Sequence, residues 1–125
     1  MSEIARFSLP FPPSGNHMWK HTRSGQHYLT TTATTYYRNV AILVRQQSVV
    51  ANLDEPLEVE CEFTPPDHRR RDLDNAWKVV GDGMTRSRFW TDDKWIRKLT
   101  LSWGEVRPLG GASIIVRRFH TVANL

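Results

Sequence analysis

The alternation of hydrophobic and polar residues predicts β-strands in the first half of the chain. A period of two over residues 4–9 places Ala5, Phe7 and Leu9 on one side of a short strand. The clearest strand covers residues 57–63, where four apolar residues alternate with three glutamates. One face of each strand is therefore expected to pack into a core while the other meets water.

The C-terminal part of the chain predicts two further strands, over residues 95–103 and 112–119. Pro108, Gly110 and Gly111 lie between them and are typical turn residues. We therefore expect the two strands to pair with each other as a closing hairpin.

Two segments show the spacing of helices that bury one face. The first has Thr30 or Thr32 as its N-cap and should fade near Asn52. The second begins near Asp72 and continues through Met84, although its two internal glycines each weaken it by roughly 1 kcal/mol relative to Ala. The order β-α-β-α-β-β predicts an α+β fold, in which both helices pack on one face of a small mixed sheet.

Length and composition allow one ordinary hydrophobic core. The chain has 125 residues, of which 39% are hydrophobic, so residues 1–125 are treated as a single domain. Cys61 is the only cysteine, which excludes an intrachain disulfide and fits a reducing cytoplasm. The sequence contains no run approaching the ~18 apolar residues of a membrane span, so we expect a soluble cytoplasmic protein without a membrane partner.

Charge is distributed unevenly along the chain, whose formal net charge is +4. No acidic residue occurs in the range 4–53, so this part can face phosphate without repulsion. It includes a polar stretch over residues 14–29, predicted to be a long loop, which contains Lys20 and Arg23. An acidic segment then precedes three consecutive arginines at 69–71. The sequence therefore predicts one acidic and one basic surface.

Acidic and basic residues gather at the start of the second helix, in the run Arg69-Arg70-Arg71-Asp72-Leu73-Asp74-Asn75. Lys78 follows one helical turn after Asp74, and Asp93 comes after the helix. Phosphodiester hydrolysis needs charge neutralisation and an activated water, which hard cations held by carboxylates supply. The pattern predicts a Mg²⁺ site formed by Asp72, Asp74 and Asp93, with Lys78 stabilising the charge of the transition state.

Each of these residues also has a purely structural explanation. Asp72 and Asp74 are favoured helix caps, and Lys78 is a common i+4 partner of an aspartate. Asp92 and Asp93 fit a solvated turn before a strand. A shared site is favoured because it explains all of these residues at once.

The aromatic residues of the predicted loop have two explanations as well. Its three histidines suggest a metal cluster, but the stretch offers no cysteine or carboxylate, so they are expected to be loop or DNA-contacting residues: His17, His21 and His27. Trp19 either stacks on a base or packs over the sheet. Three other tryptophans are expected in the core: Trp77, Trp95 and Trp103.

Four spaced motifs together resemble the RusA family of Holliday junction resolvases, small homodimeric nucleases of bacteria and their phages. They are Leu9–Asn16 (Leu-Pro-Phe-Pro-Pro-Ser-Gly-Asn), Arg71–Asn75 with Lys78, Asp82 inside the second helix, and Phe89–Asp93. The resemblance covers nearly the whole chain. It departs from the family's pattern at the two glycines beside Asp82, where bulkier residues are common, which affects the expected rigidity of the helix.

The resemblance implies that Asp72, Asp74 and Asp93 bind metal and that Lys78 is the essential lysine. It further implies dependence on Mg²⁺ or Mn²⁺, no organic cofactor, and a homodimer whose two active sites nick opposed strands of a four-way junction symmetrically. The expected DNA-contacting residues are Asn16, Lys20, Arg23, Arg69, Arg70, Arg71 and Lys78.

Two other functions remain open at this point. A non-catalytic module would bind branched DNA with the same basic surface, but its aspartates would only repel phosphate. Among enzymes, a flap or replication-fork nuclease is the closest alternative.

Overall fold

Four long strands and two helices follow one another in residues 3–120, the part of the chain that the computed structural model describes. The elements are β1 (Glu3–Leu9), β2 (Trp19–His21), β3 (His27–Leu29), α1 (Thr31–Gln47), β4 (Leu57–Thr64), α2 (Leu73–Arg86), β5 (Ile96–Trp103) and β6 (Gly111–Arg118). A mixed sheet has the strand order β1-β6-β4-β5, and β2 pairs only with β3. The predicted α+β class, with two helices and a small mixed sheet, is confirmed.

The core lies between the helices and one face of this sheet. In β4, Val59, Cys61 and Phe63 are fully buried, while the alternating glutamates are partly or fully exposed, as the period of two predicts. The two helices pack against each other and against this buried face. No helix within the described range is long and apolar enough to span a membrane.

The hairpin predicted for the last two strands is wrong. β6 lies between β1 and β4 and is antiparallel to both, whereas β5 lies at the edge of the sheet and is parallel to β4. Burial explains this order, because the apolar residues of β6, such as Ile114 and Val116, are fully buried. Most positions of β5 are exposed, and even Leu99 is 38% exposed, which suits an edge strand.

The segment from β4 through α2 to β5 is a crossover between two parallel strands. In such a crossover the helix runs back along the sheet, so its first residues lie near the end of the preceding strand. Its last residues lie near the start of the following strand. This topology places the acidic start of α2 and the turn before β5 toward opposite ends of the helix.

The first helix begins at the predicted N-cap and ends earlier than predicted. The Thr30 hydroxyl accepts a hydrogen bond from the backbone N–H of Ala33, so Thr30 is the N-cap. The helix ends at Gln47 rather than near Asn52. The Gln47 amide bonds to both the N–H and the carbonyl of Ser8 in β1, and this pairing fixes the helix end against the sheet.

The stretch over 14–29, predicted to be one long loop, contains regular structure. A short 3-10 turn (Gly15–His17) leads into the hairpin of β2 and β3. All three residues of β2 are exposed, so these short strands show no hydrophobic alternation that a sequence pattern would reveal. The Thr30 hydroxyl donates to the carbonyl of His17 at 2.6 Å and joins the base of the hairpin to α1.

The two glycines of α2 serve packing rather than bending. A Cβ at Gly83 would lie 3.5 Å from the Tyr37 ring and from Val40 of α1, so the helices approach closely here. A Cβ at Gly81 would lie 3.0 Å from the Trp77 indole, which therefore rests against the helix surface. Both glycines are buried, and the helix continues through them without interruption.

The three tryptophans predicted for the core lie at its margin instead. Trp77, Trp95 and Trp103 are only partly buried and pack against the core from outside. The fully buried tryptophan is Trp90, whose indole N–H donates to the Thr85 hydroxyl at 2.7 Å. A buried indole needs such an acceptor, and α2 supplies one.

Candidate active site and nucleic-acid interface

Two cavities open beside α2, and the loop residue Gly15 borders both. The first, called here the acidic cavity, has a volume of about 550 Å³, and the residues that define it include Trp19, Trp77, Lys78, Asp82, Asp92 and Asp93. The second, called here the arginine groove, has a volume of about 960 Å³, and the residues that define it include Asn16, Arg69, Arg70, Arg71, Asp72 and Asn75. Most of the predicted site residues therefore border one of two adjoining depressions.

The hydrogen bonds at the start of α2 show whether its two aspartates act as helix caps. Asp72 occupies the N-cap position, yet its side chain makes no capping hydrogen bond. The capping explanation therefore does not account for its carboxylate. Asp74 lies in the first turn, where the helix dipole favours an anion. It forms an ion pair with Lys78 at 3.5 Å, and both side chains are about 70% exposed, so this pair adds little to stability.

The two aspartates before β5 have different roles. The Asp92 carboxylate accepts a hydrogen bond from the backbone N–H of Lys94 at 2.8 Å and caps the 3-10 turn Asp93–Trp95. This bond is the main cause of a pKa for Asp92 below its ordinary value, with smaller contributions from Asp93 and Lys94. Asp92 is thus a structural cap. The neighbouring Asp93 has no such capping bond and borders the acidic cavity.

The predicted trio of metal ligands is not assembled as a group. Within residues 3–120, no three His, Cys, Asp or Glu side chains are arranged to hold a metal ion. The crossover topology gives the reason, since Asp72 borders the arginine groove while Asp93 borders the acidic cavity. Lys78 connects the two regions, because it pairs with Asp74 and also borders the cavity that contains Asp93.

A second carboxylate site in α2 had no predicted role. The Tyr37 hydroxyl donates to Oδ2 of Asp82 at 2.7 Å, and Nε of Arg86 donates to the same oxygen at 3.0 Å. The Arg86 guanidinium also lies over the Tyr37 ring, 4.6 Å from its centroid. Burial, followed by the bond to Asp82, raises the pKa of Tyr37, so its hydroxyl remains a donor. The sequence contains one signal for this site, because Asp82 follows Lys78 by four residues and so lies on the same face of the helix.

The three arginines of the arginine groove differ in how firmly they are held. Arg71 pairs with Asp67 at 2.8 Å, and its guanidinium lies 5.1 Å from the centroid of the Phe11 ring. The Asp67 carboxylate also accepts from the backbone N–H of Arg69, and these bonds, that of Arg71 first, lower the pKa of Asp67 to about 2. Arg70 is exposed and makes no ion pair within the described range.

Two of the predicted DNA-contacting cations and two of the three loop histidines lie on the small hairpin. Lys20 is exposed in β2, and Arg23 is exposed in the turn between β2 and β3. Neither borders the acidic cavity or the arginine groove. His21 and His27 face each other across the hairpin, with ring centroids 4.2 Å apart. Of the predicted loop contacts, Asn16 and His17 border the arginine groove.

Comparisons with known proteins identify the family of this chain. The family model described as "Endodeoxyribonuclease RusA" matches residues 10–116. The chain is 37% identical over 86 residues to the "Crossover junction endodeoxyribonuclease RusA" of Escherichia coli K12, an alignment that covers 69% of this chain and 71% of the relative. A protein of that name from Enterobacteria phage 82 shows the same identity and coverage, and one from Shigella sonnei is 36% identical over the same shares. The chain belongs to the RusA endodeoxyribonuclease family.

Proposed function

We propose that this protein is a Mg²⁺-dependent endonuclease that resolves four-way DNA junctions by paired, symmetric nicks. The observation that supports this most directly is the match to the RusA family over nearly the whole chain. The site adds an independent argument, since exposed carboxylates at both ends of the α2 region surround one lysine beside an arginine-lined groove.

The donor chemistry of the three aspartates fits a hard divalent cation. Asp72, Asp74 and Asp93 are exposed and offer only oxygen ligands, and Asp72 makes no capping bond that would compete. Mg²⁺ commonly takes one or two carboxylates and completes its shell with water and substrate phosphate, so three converging side chains are not required. One or two of these aspartates would hold the ion together with the substrate phosphate, and the ion when bound neutralises phosphate charge and lowers the pKa of water. Mn²⁺ suits the same oxygen ligands.

Lys78 is the group of this chain best placed to act on the scissile phosphate. Its ammonium lies between Asp74 and the acidic cavity, and it is mostly exposed, so it can leave Asp74 for a phosphate oxygen. During in-line attack by water, negative charge builds on the phosphate until the 3′ oxygen departs. An ammonium at that position stabilises this charge more in the transition state than in the ground state.

The arginine groove is suited to the DNA backbone on either side of the cut. Arg69 and Arg70 present exposed guanidinium groups, while the bond from Arg71 to Asp67 fixes the segment that supports them. Contacts of this kind orient the duplex without reading its sequence. A homodimer with two-fold symmetry would present two such grooves and two active sites to the arms of one junction.

The test is a cleavage assay of purified protein on a synthetic four-way junction, a flap and a linear duplex, each with Mg²⁺, Mn²⁺ or EDTA. We expect symmetric nicks in the junction with either metal and none with EDTA. Preferential cutting of the flap would instead indicate a flap or fork nuclease. A junction that is bound but uncut in both metals would overturn the proposal in favour of a binding module.

Replacing Arg70 by alanine is expected to weaken junction binding and reduce its salt dependence. Arg70 has no ion pair within residues 3–120, so the variant removes one phosphate contact without disturbing the fold. Loss of one such contact should lower the slope of log K against log salt by about 1. Fluorescence anisotropy over a salt series measures this slope. Arg118→Ala is the control, because Arg118 pairs with Glu55 beside the start of β4, whereas the arginine groove follows the end of that strand. An equal change of slope in both variants would contradict the assignment.

A further inference from the structure

Two aromatic side chains border the acidic cavity. Its volume is about 550 Å³, and Trp19 and Trp77 both border it. Trp19 lies in a hairpin strand and is 46% exposed, which is unusual for a tryptophan with no assigned role. Trp77 rests against α2 at Gly81. The cavity therefore offers two flat apolar surfaces on which a ligand can pack.

The Asp82 carboxylate in this cavity is held by two hydrogen bonds to one of its oxygens, which leaves the other oxygen available. Both partners of the Asp82 carboxylate, the Tyr37 hydroxyl and the Arg86 guanidinium, bond to the same oxygen, Oδ2. Its other oxygen, Oδ1, has no hydrogen-bond partner within residues 3–120. Two donors on Oδ2 hold the carboxylate in one orientation. Oδ1 is thus an acceptor in a fixed position, open to water or to a donor group of a ligand.

The charge of the cavity does not favour a phosphate in the part that lies beyond Lys78 and Asp93. Asp82, Asp92 and Asp93 all border it, and Lys78 is the one cation among the residues that line it. An anion entering beyond Lys78 would meet Asp82, whose charge the Arg86 guanidinium compensates only at Oδ2. A flat, neutral group with a hydrogen-bond donor fits the aromatic walls and the fixed acceptor, and in DNA that group is a nucleobase. Lys78 and Asp93 at the same cavity place such a base beside the phosphate that is cut.

We propose that the acidic cavity receives one unstacked nucleobase with an exocyclic amino group, which stacks on Trp19 and donates to Oδ1 of Asp82. The inference deepens the proposed junction-resolving function and rests on it. Enzymes that work on DNA pay a modest cost to unstack a base, and this cost is lowest where pairing is already interrupted, as at a branch point. Thymine has no amino group and can donate only from N3 in its ring, so it is the base that suits this site least.

The first test measures binding in EDTA, so that no cleavage takes place. Anisotropy gives the Kd of the unaltered protein for a four-way junction and for the same junction with abasic nucleotides at the crossover. Base stacking on an aromatic side chain predicts an affinity loss of about tenfold or more for the abasic junction. In Trp19→Ala this difference should disappear, because the stacking surface is gone. The control is Tyr28→Ala, which removes a similarly exposed aromatic residue from the same hairpin and should retain the difference.

The second test exchanges the acceptor for a donor. In Asp82→Asn, Tyr37 and Arg86 hold the amide oxygen in place of Oδ2, so the amide NH₂ takes the position of Oδ1. The unaltered protein should bind junctions with cytosine, adenine or guanine at the crossover about tenfold more tightly than those with thymine. The variant should reduce or reverse that preference, since thymine offers a carbonyl acceptor.

The two proposals fail in different ways. Equal affinities for intact and abasic junctions, or a difference that persists in Trp19→Ala, would overturn the base pocket while junction cleavage in Mg²⁺ remained. A base preference that is unchanged in Asp82→Asn would equally overturn the role of Asp82. Absence of any cleavage with Mg²⁺ or Mn²⁺ would overturn the proposed function, and the binding measurements would still decide whether a base occupies the cavity.

Discussion

Asp74→Asn is expected to abolish cleavage of a four-way junction while junction binding is retained or becomes tighter. Asp74 lies in the first turn of α2 and contacts Lys78, so its carboxylate stands among the groups that would meet the scissile phosphate. Loss of a metal ligand removes several kcal/mol of transition-state stabilisation, or a rate decrease of about a thousandfold. Binding gains because one like-charge repulsion with the phosphate disappears.

The measurement is a single-turnover cleavage rate in Mg²⁺ combined with a Kd in EDTA. Glu62→Gln is the matched control, since it removes one exposed carboxylate from the sheet face that points away from the helices. This control should cut at the rate of the unaltered protein. Normal cleavage by Asp74→Asn would remove Asp74 from the site, and a parallel loss of binding and cleavage would indicate a structural role.

Asp93→Asn should reduce cleavage by about a thousandfold, whereas Asp92→Asn should stay within about tenfold of the unaltered protein. The two residues are neighbours, but the Asp92 carboxylate caps a 3-10 turn while Asp93 has no capping bond. Asparagine caps about as well as aspartate, so Asp92→Asn keeps the turn. The same substitution in Asp93 removes a charged oxygen ligand.

Rates in Mg²⁺ for both variants, measured beside their melting temperatures, provide the comparison. Unchanged melting temperatures would show that the turn is preserved in each case. Equal rate losses in the two variants would argue that the turn as a whole, and not the Asp93 carboxylate, is what cleavage requires. Normal rates in both would exclude this turn from the active site.

The sequence predicted the helices and strands of this fold better than it predicted which strands pair with each other. Val59, Cys61 and Phe63 alternate with glutamates because β4 is buried on one face only, and that condition leaves a direct trace in the chain. An alternation of apolar and polar residues does not indicate which strands are neighbours in the sheet. The prediction of a closing hairpin was therefore wrong. The buried strand β6 pairs with β1 and β4 and not with β5.

The candidate site was predicted where its residues are close in sequence and missed where they are not. The run from Arg69 to Lys78 could be interpreted because a single helix start orders it. The bond from Tyr37 to Asp82 joins residues 45 positions apart, and only the packing of α1 on α2 brings them together. For the same reason, the sequence did not indicate that Asp93 borders a different cavity from Asp72.

The central position of β6 affects how the chain can be built. On a ribosome, β1 leaves the exit tunnel before the other strands of the sheet, yet its partner is β6, about a hundred residues later in synthesis. Until then β1 and one edge of β4 have no partner, and long-range pairing of this kind slows folding. Nascent chains that stop before residue 111 thus lack the strand that joins the two halves of the sheet. A DNA-cutting protein of this design can complete its main sheet only after residue 118 has been synthesised.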